Sequence, residues 1–336
     1  MAIEQVQTDG PFHRGELDVQ ERLGVRTEVD LFARRAIRDY LPDQHRAFYA
    51  NLPFLLLGAV DRDGRPWASM IAGEPGFVTS PDQRKLAIAA RPLFGDPILN
   101  EIQVGADVGV LGLDPATRRR NRITGRIGRN DSSGFSILVD QSFGNCPQYI
   151  QERQVQILAG DGDGHAQGDP RREVFRSDRF DESIEKLLQT ADTLFIATAF
   201  RQKDDAPNQG ADVSHRGGRP GFIRIEDDRT FIFPDFAGNR YFNTLGNIAV
   251  NPSAGFLFPD FQTGNLVYMT GQADVVWDGP SVRNYNGAER FVRFRAAEVL
   301  RVEKSMPFRF TFGSYSPALV RTGNWLETTG KITADS

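Results

Sequence analysis

Pro53-Phe-Leu-Leu-Leu-Gly-Ala-Val60 and Thr193-Leu-Phe-Ile-Ala-Thr-Ala-Phe200 are the two stretches on which the fold turns. Each is a short apolar run, too short for a typical helix, and each reads as a buried strand. The first runs into Asp61-Arg-Asp-Gly-Arg65-Pro66-Trp67, and the second, after a polar excursion, reaches Gly218-Arg219-Pro220-Gly221. Both therefore read as a strand, a turn with Gly-Arg-Pro and a second strand. Laying one run over the other aligns further landmarks in the same order. Lys85-Leu-Ala-Ile-Ala89 falls on Thr230-Phe-Ile-Phe-Pro234, and each leads to a short helical stretch ending Asn-Glu-Ile102 or Gly-Asn-Ile248. Gly105 to Gly112 falls on Asn251 to Phe258, and Arg122-Ile-Thr-Gly-Arg-Ile127 on Tyr268-Met-Thr-Gly-Gln-Ala273, with Thr-Gly shared. This ordered self-similarity, at a period of about 150 residues, points to a tandem duplication.

Short strands, Gly/Pro turns and one or two helices per half predict a mainly β chain with peripheral helices. They describe a small antiparallel barrel in each half rather than a βαβ sheet. A barrel also removes the open edges that short strands expose. The expected organisation is a helical lead segment over 1–50, a first barrel over 51–158, a linker over 159–185 and a second barrel over 186–325. Helical spacing of apolar residues runs from 28 to 50, divided by Pro42. Pro147 is placed to begin another helix through Gln148 to Ile157. Gly160-Asp-Gly-Asp-Gly-His-Ala-Gln-Gly168 reads as a surface linker; it lacks the liganding pattern and closing Glu of a calcium loop.

Composition narrows the function. The chain has 336 residues, enough for about two domains. With 40 Lys and Arg against 44 Asp and Glu, the net charge of -4 lacks the basic field of a general nucleic-acid binder. Cys146 is the only cysteine, which excludes an internal disulfide and a cysteine-held cluster. With no apolar leader and no bilayer-length apolar run, a cytoplasmic protein with no membrane partner is the expectation. His13, His45, His165 and His215 are scattered, with no HExxH, so no metal site is expected; no GxSxG supports a serine triad.

The chemistry concentrates in the second half. Ser214-His-Arg216-Gly217-Gly-Arg219-Pro-Gly-Phe222-Ile223 is followed by Phe233-Pro-Asp-Phe-Ala-Gly238-Asn239-Arg240-Tyr-Phe-Asn243-Thr244-Leu-Gly-Asn247-Ile. Arg216, Arg219 and Arg240 bring fork-shaped donors suited to phosphate oxygens. Gly238 permits close approach of a ligand to the backbone, and Asn239 is a candidate cap for a short helix whose first N–H groups would face an anion. Asn243 and Thr244 add neutral donors, and Gly217, Gly218 and Gly221 suit a tight turn. Spacing alone leaves two readings open, an anion cradle or hairpin turns with solvated arginines. Neither GxGxxG nor GxxxxGKT is present.

These same motifs resemble the flavin-binding split-barrel family typified by pyridoxamine 5'-phosphate oxidase. The first half resembles a branch of it in Gly-Arg-Pro-Trp-Ala-Ser69, Thr-Arg-Arg-Arg-Asn-Arg122 and Ser142-Phe-Gly-Asn-Cys-Pro-Gln-Tyr-Ile150, a branch in which such units are fused to a ferredoxin-reductase-like module. The resemblance spans roughly residues 10 to 320. It implies two tandem six-stranded split β-barrels of Greek-key type forming an internal pseudo-dimer, and FMN as the usual ligand, with a deazaflavin or haem on related scaffolds. It places Arg216 and Arg240 on the phosphate, with Gly217, Asn239, Asn243 and Thr244 completing the cradle. Phe222 and Ile223 would lie along the ring edge, and Trp67 and Ser69 would face the ring from the other half.

Opposite Gly238-Asn239-Arg240 the first half has Pro92-Leu93-Phe94, and opposite Asn243 it has Pro97, so a second phosphate site is not expected. The resemblance implies an FMN-dependent oxidoreductase acting on a small-molecule substrate, with no catalytic side chain assigned. The chain has neither an FAD/NAD module nor cluster cysteines, so electrons would come from NAD(P)H or a separate reductase. A flavin carrier or sensor, or a haem-handling protein using His45 and His215, are the alternatives. A monomer with an internal pseudo-dimer and a homodimer both suit the duplication. Arg118 to Arg122 read as a solvated hairpin, with an anion subsite as the alternative, and Cys146 reads as structural.

Overall fold

The computed structural model describes residues 10–158, 172–202 and 206–325. The Gly-rich stretch from Gly160 to Gly168, with His165, lies outside the described residues.

The first half forms β1 (Phe54–Val60), β2 (Pro66–Ala72), β3 (Val78–Asp82), β4 (Lys85–Ile88), β5 (Asp107–Asp114), β6 (Arg119–Asp131) and β7 (Gly134–Asn145). β8 (Arg153–Ile157) and β9 (Val174–Ser177) follow. The second half forms β10 (Thr193–Phe200), β11 (Gly210–Gly217), β12 (Arg224–Ile225), β13 (Thr230–Phe236), β14 (Ser253–Pro259), β15 (Leu266–Val276) and β16 (Ala288–Val302), and β17 (Phe308–Phe312) comes last. The first sheet runs β2-β1-β5-β6-β7-β4-β3 and the second β11-β10-β14-β15-β16-β13-β12, one order repeated place for place. Six strands of each order make the expected split barrel, and the short β3 or β12 adds a seventh at one end. β9 joins the second sheet alongside β16.

The strand assignment of the two opening runs holds, since both β1 and β10 are buried along nearly their whole length. The Thr-Gly landmark falls at the same irregularity in both halves, a register shift at Thr124/Gly125 and at Thr270/Gly271. The Gly-Arg-Pro landmark is corrected. Gly64-Arg65-Pro66 lies in the β1–β2 turn, whereas Gly218-Arg219-Pro220 follows β11. The true counterpart of Gly218-Arg-Pro-Gly-Phe222 is Gly73-Glu-Pro-Gly-Phe77, which makes the same turn. Phe77 N–H donates to Glu74 and Phe222 N–H to Arg219, both at 2.9 Å. The longer β10–β11 connection hid this match from a fixed offset.

Helices lie at the periphery: α1 (Arg14–Arg22), α2 (Arg26–Ala36), α3 (Asp43–Ala50), α4 (Glu182–Thr190), α5 (Asn243–Val250) and α6 (Pro280–Asn284). Pro42 stands directly before α3, as its spacing predicted. The helix expected after Pro147 does not form. Residues 153–157 instead make β8, which pairs with β17 at the far end of the chain. The exposed Gln154 and Gln156 alternate with more buried Arg153, Val155 and Ile157, a period of two that suits a strand.

Each barrel has its own apolar centre. In the second, Phe231 meets Phe233, Phe256, Phe258 and Phe294 at 5.2–6.2 Å between ring centroids. The halves meet where an edge strand of one crosses an inner strand of the other. A Cβ on Gly255 of β14 would stand 2.2 Å from the Pro66 carbonyl oxygen, and one on Gly109 of β5 would stand 2.8 Å from that of Ala211. Glycine at both places lets β2 cross β14 and β11 cross β5 backbone to backbone. No helix among the described residues is long and apolar enough to cross a membrane.

Candidate functional site

β13 ends at Phe236 and the chain turns a corner before α5. Arg240 and Phe242 both adopt the left-handed conformation, each with φ 61°, which costs a non-glycine residue on the order of 1 kcal/mol. Asn239 holds this corner. Its side chain accepts from the Tyr241 N–H at 3.1 Å and donates to Asn145 Oδ1 at 2.8 Å, tying β7 of the first half to the second. Asn239 therefore does not cap α5, as its position in the sequence suggested. Phe242 is the N-cap and offers no side-chain acceptor, so the first N–H groups of α5 lack a side-chain cap.

The N-terminus of α5 lies on a cleft, open to solvent, between the two halves. The second half lines it with Ser214 and Arg216 of β11, Asp235 and Phe236 of β13, Gly238, Asn239, Arg240 and Phe242 of the corner, and Asn243 and Thr244 of α5. The first half brings Leu111 of β5, Arg120 and Arg122 of β6, and Asn145 of β7. Thus Arg216, Asn239, Arg240, Asn243 and Thr244, chosen from the sequence, converge on one surface. A Cβ on Gly238 would meet nothing within 4 Å, so the protein's own packing does not demand glycine there.

The four guanidinium groups divide by their partners. Arg120 donates to the carbonyls of Cys146 at 2.9 Å and Gln148 at 2.8 Å. Arg122 pairs with Asp212 of β11 and donates to Asn243 Oδ1 at 3.2 Å. Burial, aided by the neighbouring arginines, lowers the pKa of Arg120 to about 10 and of Arg122 to about 9. These two are clamps between the halves. Arg216 is held loosely, 3.6 Å from Asp235 and 3.4 Å from the His215 carbonyl, and its buried Nε has no partner among the described residues. Arg240 is half exposed and, among the described residues, reaches only Glu28 of α2, at 3.7 Å. Arg216 and Arg240 are the cations with donors to spare for a ligand.

The expectation of a solvated Arg118–Arg122 hairpin is therefore corrected. Besides the two clamps, Arg118 donates to Ser314 Oγ at 2.6 Å and Arg119 lies over the Phe48 ring. Alternation along β6 turns Arg120 and Arg122 to one face, a period-two signal that the sequence carried. Ser214 and Asn145 also stood within the quoted motifs and join the cleft.

Other candidates lie elsewhere. Phe222 and Ile223 are buried in the second core, because the turn after Gly218 folds them under the sheet. Arg219 is exposed and lines no part of the cleft. Gly217 packs against the Tyr149 carbonyl. Trp67 is 1% exposed and its indole donates to Asp61 at 2.9 Å. Ser69 bonds to Asp96. His215 does line the cleft, buried edge-on to Phe195 with its pKa well below the ordinary value through burial, whereas His45 sits on α3 away from the cleft lining.

Asp96 marks the first-half counterpart of the cradle. Ser69 faces Leu57 on β1 as Ser214 faces Ile196 on β10. In the first half, however, the Asp96 carboxyl takes the bonds of Ser69 and of the Ile98 N–H, with Tyr268 beside it. Burial pushes this carboxyl up to about 7. No α-helix forms over residues 97–102, and Pro92, Leu93 and Phe94 bring no guanidinium.

Comparison with known proteins gives matches of one barrel's length. No curated protein sequence matches the chain. Among solved structures, a putative pyridoxamine 5'-phosphate oxidase from Lactobacillus delbrueckii is 14% identical, with a TM-score of 0.30, over 37% of this chain and 94% of that one. An FMN-binding protein from Syntrophomonas wolfei is 12% identical, with a TM-score of 0.25, over 35% and 86%. The FAD binding protein from Mycobacterium smegmatis is 18% identical, with a TM-score of 0.25, over 39% and 98%. The family model described as pyridoxamine 5'-phosphate oxidase matches residues 180–316, from the start of α4 to beyond β17. The match falls on the second half, which builds the arginine-bearing wall of the cleft, and there the chain is similar to the pyridoxamine 5'-phosphate oxidase family.

Proposed function

We propose that the chain binds one FMN in the cleft between its halves and works as a flavin-dependent oxidoreductase. The observation that carries the reading is the meeting of two under-used guanidinium groups, Arg216 and Arg240, with the uncapped N-terminus of α5. A phosphate monoester fits that donor set. It accepts bidentate arginine contacts and helix N-terminal N–H groups, and it complements the positive end of the helix dipole. Ser214 and Thr244, whose hydroxyls lie 3.0 Å apart, and Asn243 add neutral donors around the same place.

When bound, FMN would supply the two-electron redox chemistry itself. The chain's residues bind and orient it. Arg120 and Arg122 hold the first half against β11, so the wall facing the phosphate side is fixed across the cleft. Asp235 and Glu289 also line the cleft and bring negative charge to one side of it. The electron donor is NAD(P)H or a separate reductase, and the acceptor is a small molecule that reaches the flavin through the open side. One flavin per chain follows from the state of the counterpart site, where Asp96 takes the bonds an anion would need.

The test is the visible absorption spectrum of the purified chain, with the released chromophore identified and counted. One FMN per chain that consumes NAD(P)H on addition of an acceptor supports the reading. Two flavins per chain would remove the single-site claim, and a protein that takes up no added FMN would remove the cradle.

A further inference from the structure

The lead segment carries a buried polar cluster that the flavin reading does not yet use. His13 caps α1: its Nδ1 accepts from the Gly15 N–H at 3.1 Å, and Glu16 Oε2 accepts from the His13 N–H at 2.8 Å. A capping box needs no more than this and ordinarily sits at a helix surface. Here both side chains are buried, and both continue across the molecule to α5. Glu16 Oε1 accepts from the Asn243 side-chain amide, and His13 Nε2 lies 2.9 Å from Asn247 Oδ1. Gln20 donates to the Tyr241 carbonyl at 3.2 Å, inside the corner that leads into the helix. α1 and α5 touch backbone to backbone, since a Cβ on Gly15 would stand 2.1 Å from the Gly246 carbonyl oxygen.

We propose that α1 is a working part of the ligand site, and that Glu16 is a positioning residue that holds Asn243 and the N-terminus of α5 in the orientation that receives the phosphate. This rests on the flavin reading above. Asn243 is pinned from two directions: its amide nitrogen is held by Glu16 and its oxygen by Arg122. Both oxygens of Glu16 are used as acceptors, one by the lead segment's own backbone and one by the cradle. A glutamine there presents a donor where one of these acceptors stands, so one of the two bonds must break. Burial pushes the Glu16 carboxyl up to about 8, so at neutral pH one oxygen carries a proton; that hydroxyl oxygen still accepts through its remaining lone pair, which the amide nitrogen of a glutamine does not.

The experiment compares Glu16→Gln, Asn243→Ala and the double variant with the native chain, titrating each with FMN and with riboflavin, which lacks the phosphate. Glu16→Gln should weaken FMN about tenfold, as loss of a hydrogen bond near a charged ligand does, while riboflavin changes less than about twofold. The double variant should bind FMN no more weakly than Asn243→Ala alone, because Glu16 acts through Asn243. Equal losses for FMN and riboflavin, or additive losses in the double variant, would overturn the inference. Gly15→Ala, which pushes α1 off α5 without touching a cleft residue, should give the same selective loss and serves if Glu16→Gln does not fold. A native chain that binds inorganic phosphate but neither flavin sinks the flavin reading alone; the variants are then compared by phosphate affinity. A native chain that binds none of the three overturns both.

Discussion

Arg216 and Arg122 line the same cleft, yet replacing each by alanine should damage different properties. Arg216 is loosely held, 3.6 Å from its acidic neighbour, with a buried Nε that nothing among the described residues receives. Arg216→Ala therefore removes little from the folded protein and should leave its melting temperature within about 1–2 °C. It does remove a charge-assisted contact to a phosphate, a loss of about 1.5–3 kcal/mol, or roughly 10- to 150-fold in FMN affinity. Arg122 is buried, paired with Asp212 and bonded to Asn243. Arg122→Ala strands the Asp212 carboxylate at the junction of the halves, and breaking such a pair costs about 3–5 kcal/mol. For a cooperative unit of this size that is a drop of about 4–8 °C in melting temperature. Differential scanning calorimetry of the ligand-free variants gives the first quantity, and flavin fluorescence titration the second. An Arg216→Ala protein as destabilised as Arg122→Ala, or one with native FMN affinity, would refute the division into clamp and ligand donor.

Three further outcomes are expected. Glu16 and Asp96 hold protons in the folded chain up to about 8 and about 7, protons that the unfolded chain has already released, so their contribution to stability is lost as pH rises. His13 and His45, lowered by burial to about 4, act oppositely below about 6.5. Stability should therefore decline by about 2–3 kcal/mol between pH 6.5 and 8 in urea titrations, and Glu16→Gln should remove most of that slope. Gly255→Ala drives a Cβ into the Pro66 carbonyl where β2 crosses β14, and should cost about 3 kcal/mol or more, read as a lower denaturant midpoint; native stability would show that the halves are not pressed together there. Phe231→Ala, at the centre of five aromatic neighbours, should cost about 3–5 kcal/mol by the same measurement, and a loss below about 1 kcal/mol would mean that the second core is not organised around it.

Much of the architecture could be read along the chain because it is written in local terms. Apolar runs of strand length, turn residues and a shared Thr-Gly identify β1, β10, β6 and β15 without knowledge of their partners. The donors of the second half are equally local: Arg216 lies on one strand, and Asn239, Arg240, Asn243 and Thr244 lie within six residues. What local pattern could not supply is the identity of the opposite wall. Arg120 and Arg122 look like a solvated basic hairpin until β6 is placed across from β11, and Glu16 carries no role in the sequence until α1 is laid on α5. Phe222, Ile223, Trp67 and Ser69 failed to reach the cleft for the same reason. Sequence shows which side chains share a strand face, but whether that face meets the core, the other barrel or the cleft depends on how two barrels cross. That crossing is set by backbone contact at Gly109 and Gly255, between strands more than a hundred residues apart in the chain, and only the folded chain brings them together.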